Sequence, residues 1–154
     1  MLLHDFIDLE AIKPNLPATN KRGVFQILGQ MAGQRLGVAT GAVVAAITDR
    51  ERLGSTGFGN GVAIPHGKLP GLARIYCSVA RLSEAIEYKA IDGHPVDLIF
   101  FMLSPPDAGA DHLKALAAIS RAARHAPTLE KLRGARSRDA LAAVLIGVDE
   151  RDAA

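Results

Sequence analysis

The chain is expected to fold as an α/β protein of the α+β kind, with a central mixed β-sheet of about five short strands and helices on both faces. Three observations carry this. Amphipathic helical stripes stand before and after a block of short strands instead of alternating with them, so a doubly wound fold does not fit. Residues 96–103 are almost continuously apolar, as a central strand covered on both faces must be. The 154 residues, 49% hydrophobic and 22% charged, suffice for one core and contain no repeat or linker that would divide them. Residues 1–154 therefore read as a single domain.

The elements follow in order. Asn20 is a capping residue type, and Val24, Ile27, Leu28 and Met31 recur at i, i+3, i+4 and i+7, one apolar stripe on a helix that Gly37 stops. Thr40 is expected to cap a second helix with Val43, Val44 and Ile47 inward and Gly54 at its end. Residues 55–61 are a glycine-rich loop, and 62–64 a short strand ending at Pro65-His66-Gly67. Along 74–82, Ile75, Cys77 and Val79 alternate with Tyr76, Ser78 and Ala80, the pattern of a strand. Another short strand is expected over 86–89, and the Asp92-Gly93 turn leads into the central strand, which Pro105-Pro106 terminates. Asp111 then caps a helix with Leu113, Leu116 and Ala117 inward. Pro127 opens a short helix, and Ser137 caps the last, where Leu141, Val144, Leu145 and Val148 repeat the helical stripe.

Composition narrows the function classes. A single cysteine, Cys77, excludes an internal disulfide framework, and no CxxC or Cys/His cluster offers a zinc site. Cys77 alternates with apolar neighbours and reads as a small core residue. The N-terminus is acidic where a signal peptide needs a basic start, and the longest apolar run is far short of the roughly 20 residues of a membrane helix. A cytoplasmic protein without membrane insertion is expected. A net charge of +2 is too mild to imply nucleic acid. Lys114, Arg121, Arg124, Lys131, Arg133, Arg136 and Arg138 face only Glu130, with no aromatic between them for base stacking. This basic stretch reads either as a solvated helical face or as a surface for an anionic partner.

The chemistry concentrates in residues 54–68. A Walker A loop needs four residues between its first glycine and Gly-Lys, then Ser or Thr. Here five separate Gly61 from Gly67, and Leu69 follows Lys68. The dinucleotide fingerprint should follow a strand and open a helix, whereas this loop does the reverse. What remains is His66 held between Pro65 and Gly67. A neutral imidazole is a good nitrogen nucleophile, and its phosphoramidate keeps a high transfer potential. Backbone N–H groups of Gly67, Lys68 and the loop could cradle phosphate oxygens. On local pattern alone, a histidine so placed is more often an exposed or hydrogen-bonded loop residue.

The run Gly54-Ser55-Thr56-Gly57-Phe58-Gly59-Asn60-Gly61-Val62-Ala63-Ile64-Pro65-His66-Gly67-Lys68, with Arg50-Glu51-Arg52 before it, resembles the active-site signature of the fructose/mannitol-type enzyme IIA domains of the bacterial phosphotransferase system. It is most similar to the free-standing nitrogen-regulatory form. The resemblance extends to Asp92-Gly93-His94-Pro95-Val96-Asp97-Leu98 and to His112-Leu113, and so covers nearly the whole chain.

The resemblance implies an enzyme IIA mannitol-like fold and a phosphotransferase component. In it, His66 accepts a phosphoryl group on Nε2 from an HPr-like phosphocarrier. By position it makes Arg50 the arginine facing the phosphoryl group and His112 the second active-site histidine. Arg50 suits phosphate oxygens because its planar guanidinium stays charged. No cofactor or metal enters this scheme, since the donor is already an activated phosphohistidine. Ser55 and Thr56 could donate hydroxyls to phosphate, and loop rigidity explains them equally well. Lys68 could neutralise phosphate, attract the carrier or simply be solvated. His94 reads as structural, His4 and His125 as surface-helix residues without a nameable partner, and Asp107 and Asp111 as flanking or capping the His112 helix.

The family also implies regulated partners, among them potassium-transport and stress- or nitrogen-response proteins. Two alternatives stand beside the nitrogen-regulatory carrier. A sugar-specific enzyme IIA would pass the group to a separate enzyme IIB, and a regulatory binding module would never be phosphorylated. Cys77 lies in a strand and supplies no IIB-like phosphocysteine loop.

Overall fold

The computed structural model describes residues 1–153; Ala154, the last residue of the expected domain, lies outside them. Six strands form one mixed sheet: β1 (Lys13–Leu16), β2 (Gly57–Gly59), β3 (Val62–Ala63), β4 (His66–Lys68), β5 (Tyr76–Ile86) and β6 (Val96–Ser104). The order is β1-β5-β6-β3-β2, and β4 also pairs with β6. Antiparallel β5–β6 pairing forms the centre, while β1 lies parallel to β5. Strands β3 and β4 both run parallel to β6, at Leu98–Ile99 and at Met102–Ser104, so Ile64 and Pro65 interrupt what is otherwise one line of pairing.

The helices are α1 (Lys21–Leu36), α2 (Thr40–Arg52), α3 (Ala110–Arg124), α4 (Ala126–Gly134) and α5 (Arg138–Ala153). They divide between the faces as the alternation of β6 dictates. Leu98, Phe100 and Met102 join Cys77 and Val79 in a core under α3, α4 and α5. Ile99, Phe101 and Leu103 join Tyr76 and Ala80 in a second core under α1 and α2. The apolar run of β6 is thus explained by burial on both sides.

Several local expectations are modified. Residues 55–61 are not wholly loop: β2 and β3 make a hairpin whose turn, Asn60-Gly61, has positive φ at both residues (57° and 80°), the conformation that an Asn-Gly pair favours. The separate strand expected over 86–89 is the end of one longer strand, β5, whose register shifts between Arg81 and Ile86. β1 was not expected, because Pro14 and a single buried side chain, Leu16, leave no alternation to read.

Asn20 and Ser137 do cap their helices, accepting from the N–H groups of Gly23 and Ala140. Thr40 instead lies inside α2, after Ala39, and Gly109, with no side-chain cap, precedes α3 in place of Asp111. Helix α3 buries Ala115, Ala118, Ile119, Ala122 and Ala123; Leu116 packs against this core as expected, whereas Leu113, 68% exposed, and Ala117 face outward, which corrects the inward position expected for those two.

Gly67 shows how the layers position the site. Neighbouring residues on paired strands share a face, so His66 and Lys68 point with Met102 and Ser104 toward α3, and Gly67 points with Leu103 toward α2. A Cβ on Gly67 would meet the Ala46 carbonyl carbon at 3.0 Å, within the body of α2. Gly67→Ala should push α2 off the sheet and cost about 1–3 kcal/mol by overpacking. A urea unfolding midpoint that falls accordingly would verify this.

Candidate functional site

Pro65 has no N–H, and its carbonyl accepts from the Met102 N–H at 3.1 Å, which fixes the turn into β4. At the start of that strand the half-buried His66 ring folds back, with Nδ1 2.6 Å from the Ile64 carbonyl oxygen. A carbonyl can only accept, so Nδ1 carries the proton. Burial holds the ring's pKa below its ordinary 6.5; the Arg50 charge works in the same direction, while the Ile64 bond and Glu51 oppose them. At neutral pH the ring is therefore uncharged, protonated on Nδ1, with the lone pair on Nε2.

His112 comes from the first turn of α3. Its ring centroid is 5.9 Å from that of His66, with the planes at 54°. Its Nδ1 is hydrogen-bonded to the hydroxyl of Ser104, the last residue of β6. Burial, then the neighbouring His66 and Lys68, hold this ring's pKa down as well. Arg50, in the last turn of α2, donates from Nη1 to the Gly54 carbonyl at 2.9 Å and keeps its charge close to His66. The structure thus gathers the three residues expected at the centre, from β4, α2 and α3.

Around them the glycine loop is tied down by a residue that the sequence reading passed over. The Glu51 side chain, 8% exposed, accepts from the Lys21 ammonium at 2.9 Å. Its oxygens also accept from the Thr56 N–H at 3.0 and 3.1 Å and from the Thr56 hydroxyl. Because that hydroxyl proton goes to Glu51, the Tyr88 O–H, 2.8 Å away, donates to Thr56 Oγ1. The Lys21 ammonium also stands 4.3 Å above the Tyr88 ring.

These contacts correct part of the expected phosphate cradle. Thr56 is buried and both its donors are spent on Glu51, so it anchors the loop and is not free to bind phosphate. Gly67 is buried beneath α2, and its lack of a side chain serves helix packing. Ser55 Oγ accepts from the Gly57 N–H at 3.1 Å and keeps its own proton available. Lys68 is exposed on the same face as His66, and its charge reaches His112.

The remaining candidates fall away from the site. His94 sits in the Asp92 turn, its N–H donating to Asp92 at 3.1 Å. His4 does have a partner, Asp149, at 2.9 Å from Nδ1, and His125 caps α4 by accepting from the Thr128 N–H. Cys77 is fully buried, which pushes its thiol pKa up and leaves it unreactive. Within the basic stretch, Arg133 is bound to Asp97 at 2.9 Å and to the Asn60 carbonyl, where it holds the β2–β3 turn.

Comparisons with known proteins identify the family and the fold. Residues 5–147 match the family described as phosphoenolpyruvate-dependent sugar phosphotransferase system, EIIA 2. The chain is 45% identical over 145 residues to a nitrogen regulatory protein of Bradyrhizobium diazoefficiens, covering 94% of this chain and 95% of that one. It is 35% identical to a fructose-specific EIIA component of the same system from Haloferax volcanii, covering 92% and 93%. The crystal structure of nitrogen regulatory protein IIA-Ntr from Neisseria meningitidis superposes with a TM-score of 0.86 at 30% identity, over 92% of this chain and 97% of that one.

Both rings should titrate below pH 6.5 in a histidine NMR titration, and Arg50→Ala should move the His66 midpoint upward by removing a nearby positive charge. Since the unfolded chain then binds protons first, the stability contributed by the neutral rings is complete above pH 6.5 and declines as pH falls below it.

Proposed function

The chain belongs to the EIIA 2 family of the phosphoenolpyruvate-dependent sugar phosphotransferase system, and we propose that it works as a phosphoryl carrier of the nitrogen-regulatory type. His66 receives a phosphoryl group from an HPr-like phosphocarrier protein, and the phosphorylation state governs which partner proteins the chain engages. The carrying observation is the hydrogen bond from His66 Nδ1 to the Ile64 carbonyl in a ring held neutral.

In the proposed step the Nε2 lone pair attacks the phosphorus of the donor's phosphohistidine. The new N–P bond forms as the donor's N–P bond breaks, and the bonding electrons return to the donor imidazole. The His66 ring gains positive character as it bonds phosphorus, and the Ile64 carbonyl, already accepting from Nδ1, stabilises it. Arg50 offers its guanidinium to the equatorial oxygens; His112 and Lys68 supply further donors from the α3 side, and Ser55 has a hydroxyl to spare. Nothing here requires a metal, because charge stabilisation comes from side chains and the donor is already activated.

The surroundings suit a protein donor. Leu53 is 85% exposed, Ile91 82% and Leu113 68%. Leu53 directly follows α2, Ile91 is bound through its N–H to the Gly57 carbonyl, and Leu113 adjoins His112. Apolar side chains at such exposure beside a charged centre fit an interface with an apolar core. Added negative charge on His66 would alter any such contact, which is a physical basis for phosphorylation-dependent docking in the cytoplasm. The regulated partners are proposed to be potassium-transport or stress- and nitrogen-response proteins. Support for the regulatory type comes from the Bradyrhizobium and Neisseria relatives. The Haloferax relative favours a second reading, in which the group passes on to a sugar-specific enzyme IIB.

Intact-mass measurement after incubation with a phosphorylated HPr-like carrier distinguishes these. One acid-labile phosphoryl group is expected, absent from His66→Ala and slower to appear in Arg50→Ala and His112→Ala. An unchanged mass with a competent donor would leave only the unphosphorylated binding module. Onward transfer to an added enzyme IIB would favour the sugar-specific carrier.

A further inference from the structure

We propose that Ser104 is a positioning residue for phosphoryl transfer, fixing the second histidine, His112, as the tautomer that carries its proton on Nε2. The proposal builds on the phosphoryl-carrier function above, but its geometry is independent of it.

Ser104 ends β6 and is wholly buried. Its main chain is committed to the sheet, where its carbonyl accepts from the Leu69 N–H at 2.9 Å. Its hydroxyl meets one polar side-chain atom, His112 Nδ1. Among the described residues this hydroxyl has no second hydrogen-bond acceptor, so the direction of its bond to His112 decides whether the serine proton is satisfied. A hydroxyl has a single proton to give. If Nδ1 were protonated and donated to Ser104 Oγ, the serine proton would be sealed in the interior with no acceptor. A buried donor left so is disfavoured. If Ser104 donates, every polar atom is satisfied: Nδ1 holds the lone pair, and Nε2 of the neutral ring holds the hydrogen.

The two histidines are then set in opposite senses by the backbone region that holds them. An acceptor, the Ile64 carbonyl, forces the proton of His66 onto Nδ1 and leaves Nε2 as a lone pair. A donor, the Ser104 hydroxyl, forces the lone pair of His112 onto Nδ1 and leaves Nε2 as an N–H. Both clamps use Nδ1, so neither occupies Nε2, and the two ring centroids stand 5.9 Å apart. One ring offers a nucleophile and the other a hydrogen-bond donor, without either having to be charged. A phosphoryl group on His66 would find a donor in His112 over the whole range in which His66 is itself a nucleophile. Ser104 is placed for this by β4–β6 pairing, since it lies opposite Lys68 and so shares the face of His66 and α3.

Nitrogen-15 NMR of the unphosphorylated full chain, at a pH where both rings are neutral, reads the tautomers directly. Wild type should show His66 protonated at Nδ1 and His112 protonated at Nε2. Ser104→Ala should make the Nδ1-protonated form of His112 detectable, leave the His66 signals in place, and slow phosphoryl acceptance from the HPr-like carrier about fivefold, the usual scale for one lost hydrogen bond. Ser104→Thr should restore both signature and rate. Protonation of His112 at Nδ1 in wild type overturns the proposal, and needs no variant. So does a His112 tautomer unchanged in Ser104→Ala, or a rate unchanged while the tautomer shifts. Failure of wild type to accept any phosphoryl group would overturn the carrier function instead, and the tautomer measurements would still decide the role of Ser104.

Discussion

The hydrogen bond between His66 Nδ1 and the Ile64 carbonyl is the constraint around which the site is built. It closes a short loop within one stretch of chain, so the ring's orientation follows from the backbone path through Ile64 and Pro65. That path is in turn dictated by β6. Pairing of β3 and β4 with the same strand, on either side of Pro65, leaves the proline where no ladder donor is needed and turns the histidine up at the rim of the sheet. Tautomer, free ring nitrogen and exposure of His66 are all consequences of where β6 lies.

The same strand organises the partners. Its two apolar, buried faces set α1 and α2 against one side and α3, α4 and α5 against the other, so Arg50 and His112 approach the histidine from opposite layers. Closing the glycine loop over this meeting point takes a charged network. Glu51 adjoins Arg50 on α2; while the Arg50 charge acts on His66, Glu51 turns inward to Lys21 and Thr56, and Thr56 in turn meets Tyr88. A carboxylate this buried is tolerated because each bond to it is charge-assisted or made by a backbone N–H. Arg133 performs the corresponding service at the far end of the hairpin, between Asp97 and the Asn60 carbonyl.

What could be read from the residues alone follows from the range of the forces involved. The stripes of α1 and α5, the caps at Asn20 and Ser137, and the two-faced burial of β6 depend on local periodicity and were legible. His66, Arg50 and His112 were legible through a motif resemblance, not through their chemistry in isolation. Contacts between distant segments were not. β1 owes its strand geometry to β5, more than sixty positions later, and its own residues carry a proline and almost no alternation. Thr56 reads equally as a phosphate donor or as a rigid loop residue until Tyr88 and Glu51 are placed beside it, and the packing role of Gly67 appears only once Ala46 is. Leu113 and Ala117 face outward on α3 because the helix buries mostly alanines, which periodicity in large apolar residues does not detect. Ser104 gives no signal at all before β6 and α3 are packed together.

In the proposed carrier, the carbonyl clamp on Nδ1 makes Nε2 of His66 the phosphorylated atom. Nitrogen–phosphorus scalar coupling, measured by NMR on nitrogen-15-labelled protein phosphorylated by its carrier, tests it at the level of single atoms. The expected result is one coupled nitrogen, His66 Nε2, with the Nδ1 hydrogen retained in its bond to Ile64. Coupling to His66 Nδ1, or to a nitrogen of His112, would contradict it.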